Sequence, residues 1–169
     1  MITEPKLEER GEQHYVGIRT QVPTEELPIV IPQFIGEVAA WLGKQGVSPA
    51  GAPFIRYHVI NMPGRLDIEM GWPVARPLSG NGRVQAGAFP AGRYATLIYT
   101  GDYPGLMDAT RALMDWAREK GIAWDRWDDV NGDAFRSRYE SYLTNPDEEP
   151  DRAKHQTEVA IKVADGQPR

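Results

Sequence analysis

The 169-residue chain contains no cysteine, which excludes disulfides, thiolate catalysis and zinc ribbons. Its three histidines, His14, His58 and His155, are widely spaced and form no metal-ligand motif. There is no phosphate loop and no G-x-S-x-G elbow. No apolar run approaches the ~20 residues that span a bilayer. The opening residues MITEPKLEERGEQHY are too polar for a secretory signal, so the expected location is the cytoplasm. Basic residues are in the minority: the net charge of −5 argues against a large nucleic-acid footprint, because phosphate neutralisation needs a basic surface. No metal or cofactor is expected.

Aromatics are the chain's distinctive resource, with five tryptophans and seven tyrosines. The pattern divides near the glycine- and proline-bearing stretch RPLSGNGRVQAGAFPAG, and each side repeats one order of elements. On the first side, YVGIRTQV alternates as a strand. A helix is expected from about Pro32, a residue suited to a first helical turn, and KQG closes it at Gly46. PFIRYHVI and DIEMGWPV supply two more strands. On the second side, RYATLIY is a strand and GDYPG turns into a helix buried along Leu106, Ala109, Leu113 and Ala117. FRSRYESYL and TEVAIKV complete it.

The expected fold is therefore α+β: two tandem β-α-β-β modules related by pseudo-two-fold symmetry, with antiparallel sheets and a groove between the modules. Residues 1–169 form one domain, with module one at about 12–75, a linker at about 76–90 and module two at about 91–163. The ends, residues 1–10 and 164–169, read as frayed. WLGKQGV and WAREKGI match each other late in the two helices, which assigns Trp41 and Trp116 to core packing.

Three features ask for chemistry. Glu140 stands inside the strand RYESYL, although glutamate is a poor strand former and its tyrosine neighbours are good ones. Either it lies on a solvated face, or it is a lone acid in an aromatic pocket. Alternation puts Arg138, Glu140 and Tyr142 on one face, so Tyr142 follows Glu140 wherever it points. In the insertion AWDRWDDVNGDAF, Trp124 and Trp127 either cap the end of the core or cover a cleft as a flap. Arg138, Glu69 and Glu158 are assigned to structural ion pairing.

The strand bearing Tyr57, followed by DIEMGWPV, and RYESYLTNP, followed by TEVAIKV, together resemble the two module endings of the GyrI-like small-molecule-binding domain, the effector-binding domain of multidrug-sensing transcription regulators. The resemblance spans roughly residues 12–163. It implies that Glu140 is the acid on the floor of a groove that takes planar, often cationic, aromatic compounds. It further implies Tyr142 and Tyr57 as walls, with Trp72, Trp124 and Trp127 as additional ligand-binding candidates. The function expected is a stand-alone multidrug or xenobiotic binder. About a dozen residues precede the first module, too few for a helix-turn-helix, so direct contact with nucleic acid is not expected.

The alternative is a hydrolase that opens strained, cyclopropane-type rings of DNA-alkylating compounds. There Glu140 would activate water, and Tyr57 or Tyr142 would stabilise a developing phenolate. A third reading, a protein partner such as gyrase or a separate regulator, draws on the acidic segment NPDEEPD.

Overall fold

In the computed structural model, residues 1–61 and 64–166 are described. The first helix, α1 (Leu27–Gln45), buries Phe34, Val38 and Leu42 at four-residue spacing, the stripe of a helix lying on a sheet. It begins earlier than the expected Pro32. Pro28 occupies the first turn, where its missing N–H costs nothing, and Pro32 follows one turn later inside the helix. Gly46, at φ 67°, takes the left-handed position that ends it. The second helix, α2 (Leu106–Glu119), buries Leu106, Ala109, Leu113 and Ala117, and Gly121 at φ 71° follows its end.

Ten strands accompany the helices: β1 (Lys6–Arg10), β2 (Gln13–Pro23), β3 (Phe54–Ile60), β4 (Arg65–Pro73), β5 (Gln85–Phe89), β6 (Gly92–Thr100), β7 (Arg126–Asp129), β8 (Gly132–Phe135), β9 (Arg138–Tyr142) and β10 (Gln156–Lys162). Every pairing among them is antiparallel, in the order β1-β6-β10-β9-β3-β4-β2-β5, with the β7–β8 hairpin joined to β3. Read outward from the central β9–β3 pair, one side runs β3, β4, β2 and the other β9, β10, β6, and each then adds one extra outer strand, β5 or β1.

Those extra strands correct two expectations. Residues 6–10 are not frayed: β1 pairs with β6 from Lys6↔Thr96 to Arg10↔Gly92, and its charges are matched, Arg10 binding Glu8 and Glu158. The linker is not merely a linker, because QAGAF forms β5 against β2. Glycine is needed there: a Cβ on Gly87 would sit 2.5 Å from the Tyr15 ring. The insertion at 123–134 likewise folds as the β7–β8 hairpin rather than a loop. Of the expected frayed C-terminus, residues 167–169 lie outside the described residues.

Strand alternation sorts side chains between two faces. On the helix-bearing face, α1 covers Val16, Ile18, Ile55, Ile68 and Met70, while α2 covers Ala95, Leu97, Val159 and Ile161. Trp41 and Trp116 each pack, half-buried, against one of these cores. On the helix-free face a third cluster joins Tyr15, Phe54, Phe89, Tyr94 and Tyr139, with Phe89 and Tyr139 stacked at 3.9 Å.

Candidate functional site

The two helix-side cores meet along β9. Glu140 is paired in register with Ile55 of β3 on one side and Val159 of β10 on the other, one residue from each core. Its carboxyl therefore emerges on the helix-bearing face in the seam between the α1 and α2 halves. Tyr57, from β3, donates a hydrogen bond to Glu140 Oε1 at 3.2 Å. Tyr142, one pleat further along β9, shares the face and packs against the α1 core. The Tyr103 ring, in the 3-10 turn that precedes α2, meets Tyr142 edge-on at 5.9 Å.

At the other end of the strip, the Arg138 guanidinium lies over the rings of Phe135, at 4.7 Å, and Tyr57, at 5.9 Å. Glu140, Tyr57 and Tyr142 are hemmed in by protein yet remain partly exposed.

Electrostatics single out Glu140. Burial raises its pKa to about 7, and the nearby Arg138 charge and the Tyr57 hydroxyl only partly oppose that rise. Burial, with the Glu140 charge added, lifts the Tyr57 and Tyr142 hydroxyls well above the usual tyrosine range, so both act as neutral donors. No cation comes within ion-pair distance of Glu140 among the described residues. This contrasts with Glu69, whose burial cost is outweighed by hydrogen bonds from His58 at 2.8 Å and Tyr15 at 2.5 Å, so its pKa stays low. Glu69 and Glu158 are thus held in pairs, whereas the Glu140 charge is compensated only in part, by Arg138 beyond ion-pair distance.

The remaining candidates lie elsewhere. Trp72 packs on the α1 core and donates its indole N–H to Ile35 O at 2.9 Å, anchoring the helix. Trp124 bridges to Val163 and caps the α2 core. Trp127, 43% exposed, sits with Arg136 over its ring and lines a cavity of about 460 Å³ with Arg56 and His58. That cavity opens on the helix-free face, so Trp127 and Glu140 are on opposite sides of the sheet.

Of the six candidates, the structure gathers Glu140, Tyr142 and Tyr57. Tyr103 is the residue that sequence reasoning missed: its turn segment GDYPG signalled only a helix start. Arg138, assigned to ion pairing, has no carboxylate within ion-pair distance among the described residues; its neighbours are aromatic faces. No group of three or more His, Asp or Glu among the described residues could hold a metal ion. Among the described residues, no helix is long and apolar enough to cross a membrane.

A curled antiparallel sheet carrying two helices on one face is an α+β fold of the kind that small-molecule-binding domains use. The chain belongs to the GyrI-like small molecule binding domain family, whose profile matches residues 3–164. Among solved structures, the EcmrR C-terminal domain is similar at 23% identity and a TM-score of 0.75, over 95% of this chain and 97% of that one. EcmrR is also similar within its complex with DNA, at 22% identity and a TM-score of 0.73; 95% of this chain is covered, and it spans 57% of that longer chain. SAV2435 bound to tetraphenylphosphonium is similar at 11% identity and a TM-score of 0.61, over 96% of this chain and 95% of that one. A hydrolase from Listeria innocua is similar at 13% identity and a TM-score of 0.61, over 95% of this chain and 92% of that one. No curated protein sequence matches the chain.

Proposed function

We propose that this domain binds planar aromatic small molecules, cations among them, in the seam between its two halves, as a binder of drugs or other xenobiotics. The halves on either side of that seam are read as duplicated β-α-β-β modules. The observation that carries the proposal is Glu140: a carboxyl with a pKa of about 7, hydrogen-bonded to Tyr57 and free of any ion-pair partner among the described residues. An uncompensated buried acid is a cost to the fold, and a bound organic cation offsets it. Tyr57, Tyr142 and Tyr103 present ring surface, which attracts a flat cation by roughly 0.5–2 kcal/mol per good contact. That one structural neighbour holds tetraphenylphosphonium supports the reading by analogy.

The test uses two ligands of nearly one shape, N-methylacridinium and acridine, at pH 8, where Glu140 is ionised and acridine is neutral. Glu140→Gln preserves size and the Tyr57 hydrogen bond. A charge contact of about 1.5–3 kcal/mol predicts roughly ten- to a hundredfold weaker binding of the cation to the variant, with acridine little changed. In the wild type, cation affinity should climb as pH rises through about 7, and in the variant it should stay flat. Equal cation affinity in both proteins overturns the proposal.

One observation favours a second reading. A carboxyl with a pKa near 7 is suited to general acid–base work, and the Tyr57 hydroxyl beside it can donate to a developing oxyanion. Hydrolysis of strained-ring alkylating compounds would use both groups. Water would add to the ring carbon and lose its proton to Glu140, while the electron pair of the broken ring bond moves to the phenolate. Product mass after incubation with such a compound separates the readings: one added water for turnover, unchanged mass for binding.

A further inference from the structure

Arg138 is the groove's unexplained charge. It leaves β9 on the same face as Glu140, two residues away, and rests on aromatic rings. Among the described residues its guanidinium makes no hydrogen bond and has no carboxylate in ion-pair range. The other well-covered arginines are treated differently. Arg10 binds Glu8, Glu158 and Tyr139, and Arg56 binds Tyr15 and the carbonyls of Ala88 and Arg136. Arg56 Nε is sealed from solvent, whereas the Arg138 nitrogens stay open to it.

A guanidinium carries five donors in a planar fork that fits a carboxylate with two parallel bonds. A fork held over two rings, reachable and unused, is preorganised for such an acceptor. It also changes what the groove selects. Arg138 repels a purely cationic ligand while Glu140 attracts it, so a ligand that answers only the acid leaves the arginine opposed. Two residues along one strand face separate the two charges by about 6–7 Å.

We propose that the groove takes zwitterionic aromatic ligands, with a cationic ring system against Glu140 and a carboxylate bound by the Arg138 fork. This rests on the reading of the seam as the ligand groove. It assigns Arg138 as a specificity-determining residue and narrows the ligand class from aromatic cations to aromatic compounds carrying both charges. Burial disfavours the charged guanidinium, and the Glu140 charge compensates only in part, so an incoming carboxylate completes the neutralisation.

Rhodamine B and its ethyl ester make the test, since the ester keeps the cationic xanthene and masks only the carboxylate. At pH 8, fluorescence anisotropy with wild-type protein should show the free acid binding about tenfold more tightly than the ester. Arg138→Met keeps the aliphatic bulk on the rings and should abolish that preference while retaining ester binding. Arg138→Lys, charged but without the fork, should reduce it. Equal affinity of wild type for the two dyes overturns the inference and leaves the groove standing, as does a preference that persists in folded Arg138→Met. Failure of both dyes to bind removes the groove reading, and the inference with it.

Discussion

Replacing Glu140 with glutamine should stabilise the empty protein, and by an amount that depends on pH. In the unfolded chain the carboxyl titrates near 4.5, whereas in the fold it titrates near 7. Between those values the folded protein keeps a proton that the unfolded chain has released. The contribution of Glu140 is therefore most favourable below about pH 4.5 and is lost as pH rises through about 7. One pH unit of separation is worth ~1.4 kcal/mol, giving a full penalty of about 3 kcal/mol; solvent reaching the half-exposed carboxylate trims it to about 1–2 kcal/mol. Glutamine still accepts the Tyr57 hydrogen bond but carries no charge to desolvate. Urea unfolding at pH 8 should show Glu140→Gln more stable by about 1–2 kcal/mol, or roughly 2–8 °C in Tm. At pH 5 the two proteins should nearly coincide. A variant less stable than wild type at pH 8, or a difference that is the same at both pH values, would refute the argument that the acid is held uncompensated.

Two further expectations concern the scaffold around the groove. Trp72→Phe deletes the donor to Ile35 O while keeping most of the ring, so unfolding free energy should fall by about 1–2 kcal/mol while N-methylacridinium affinity stays unchanged; a loss of affinity in the folded variant would place Trp72 in the groove after all. Gly71→Ala should destabilise severely, because β2 and β4 approach closely at the Gly17↔Gly71 pair and a Cβ there would run into the Val16 carbonyl oxygen; a circular-dichroism melt within 2 °C or so of wild type would contradict that packing.

The antiparallel α+β plan with its two helices was legible because alternation and the two buried stripes are local patterns. α2 was placed closely by Leu106, Ala109, Leu113 and Ala117. The start of α1 was misjudged because two prolines compete for the first turn, and the sequence does not say that Pro28 wins. β1 and β5 escaped notice for opposite reasons. KLEER is too charged to read as a strand until Glu158 and Tyr139 supply partners for Arg10, and QAGAF is too small-residued until Tyr15 fills the space above Gly87.

At the candidate site, the grouping of Glu140, Tyr142 and Tyr57 on one face was legible from strand parity and the family's motifs. Tyr103 was not, because a turn residue reaches Tyr142 only through the docking of α2. The tryptophans, by contrast, are not gathered with Glu140. Trp72 and Trp124 are held by a helix carbonyl and a strand bridge, and Trp127 falls on the far face by the parity of β7 and β8.

The position of the proposed groove follows from how the strands around β3 and β9 join. β3 and β9 share only a short ladder, from Phe54↔Ser141 to Arg56↔Tyr139, before β3 shifts register and passes to β8. Each helix is committed to its own core, so the β9 face between Ile55 and Val159 is left without a helix above it. An apolar strip there would favour merging the two cores across the seam. Arg138, Glu140 and Tyr142 instead put polar groups on that strip, at a cost that the scaffold absorbs elsewhere. Opposite charges on that strip that compensate each other only in part, without an ion-pair partner among the described residues, suit the proposed recognition surface: groups whose partners arrive with the ligand.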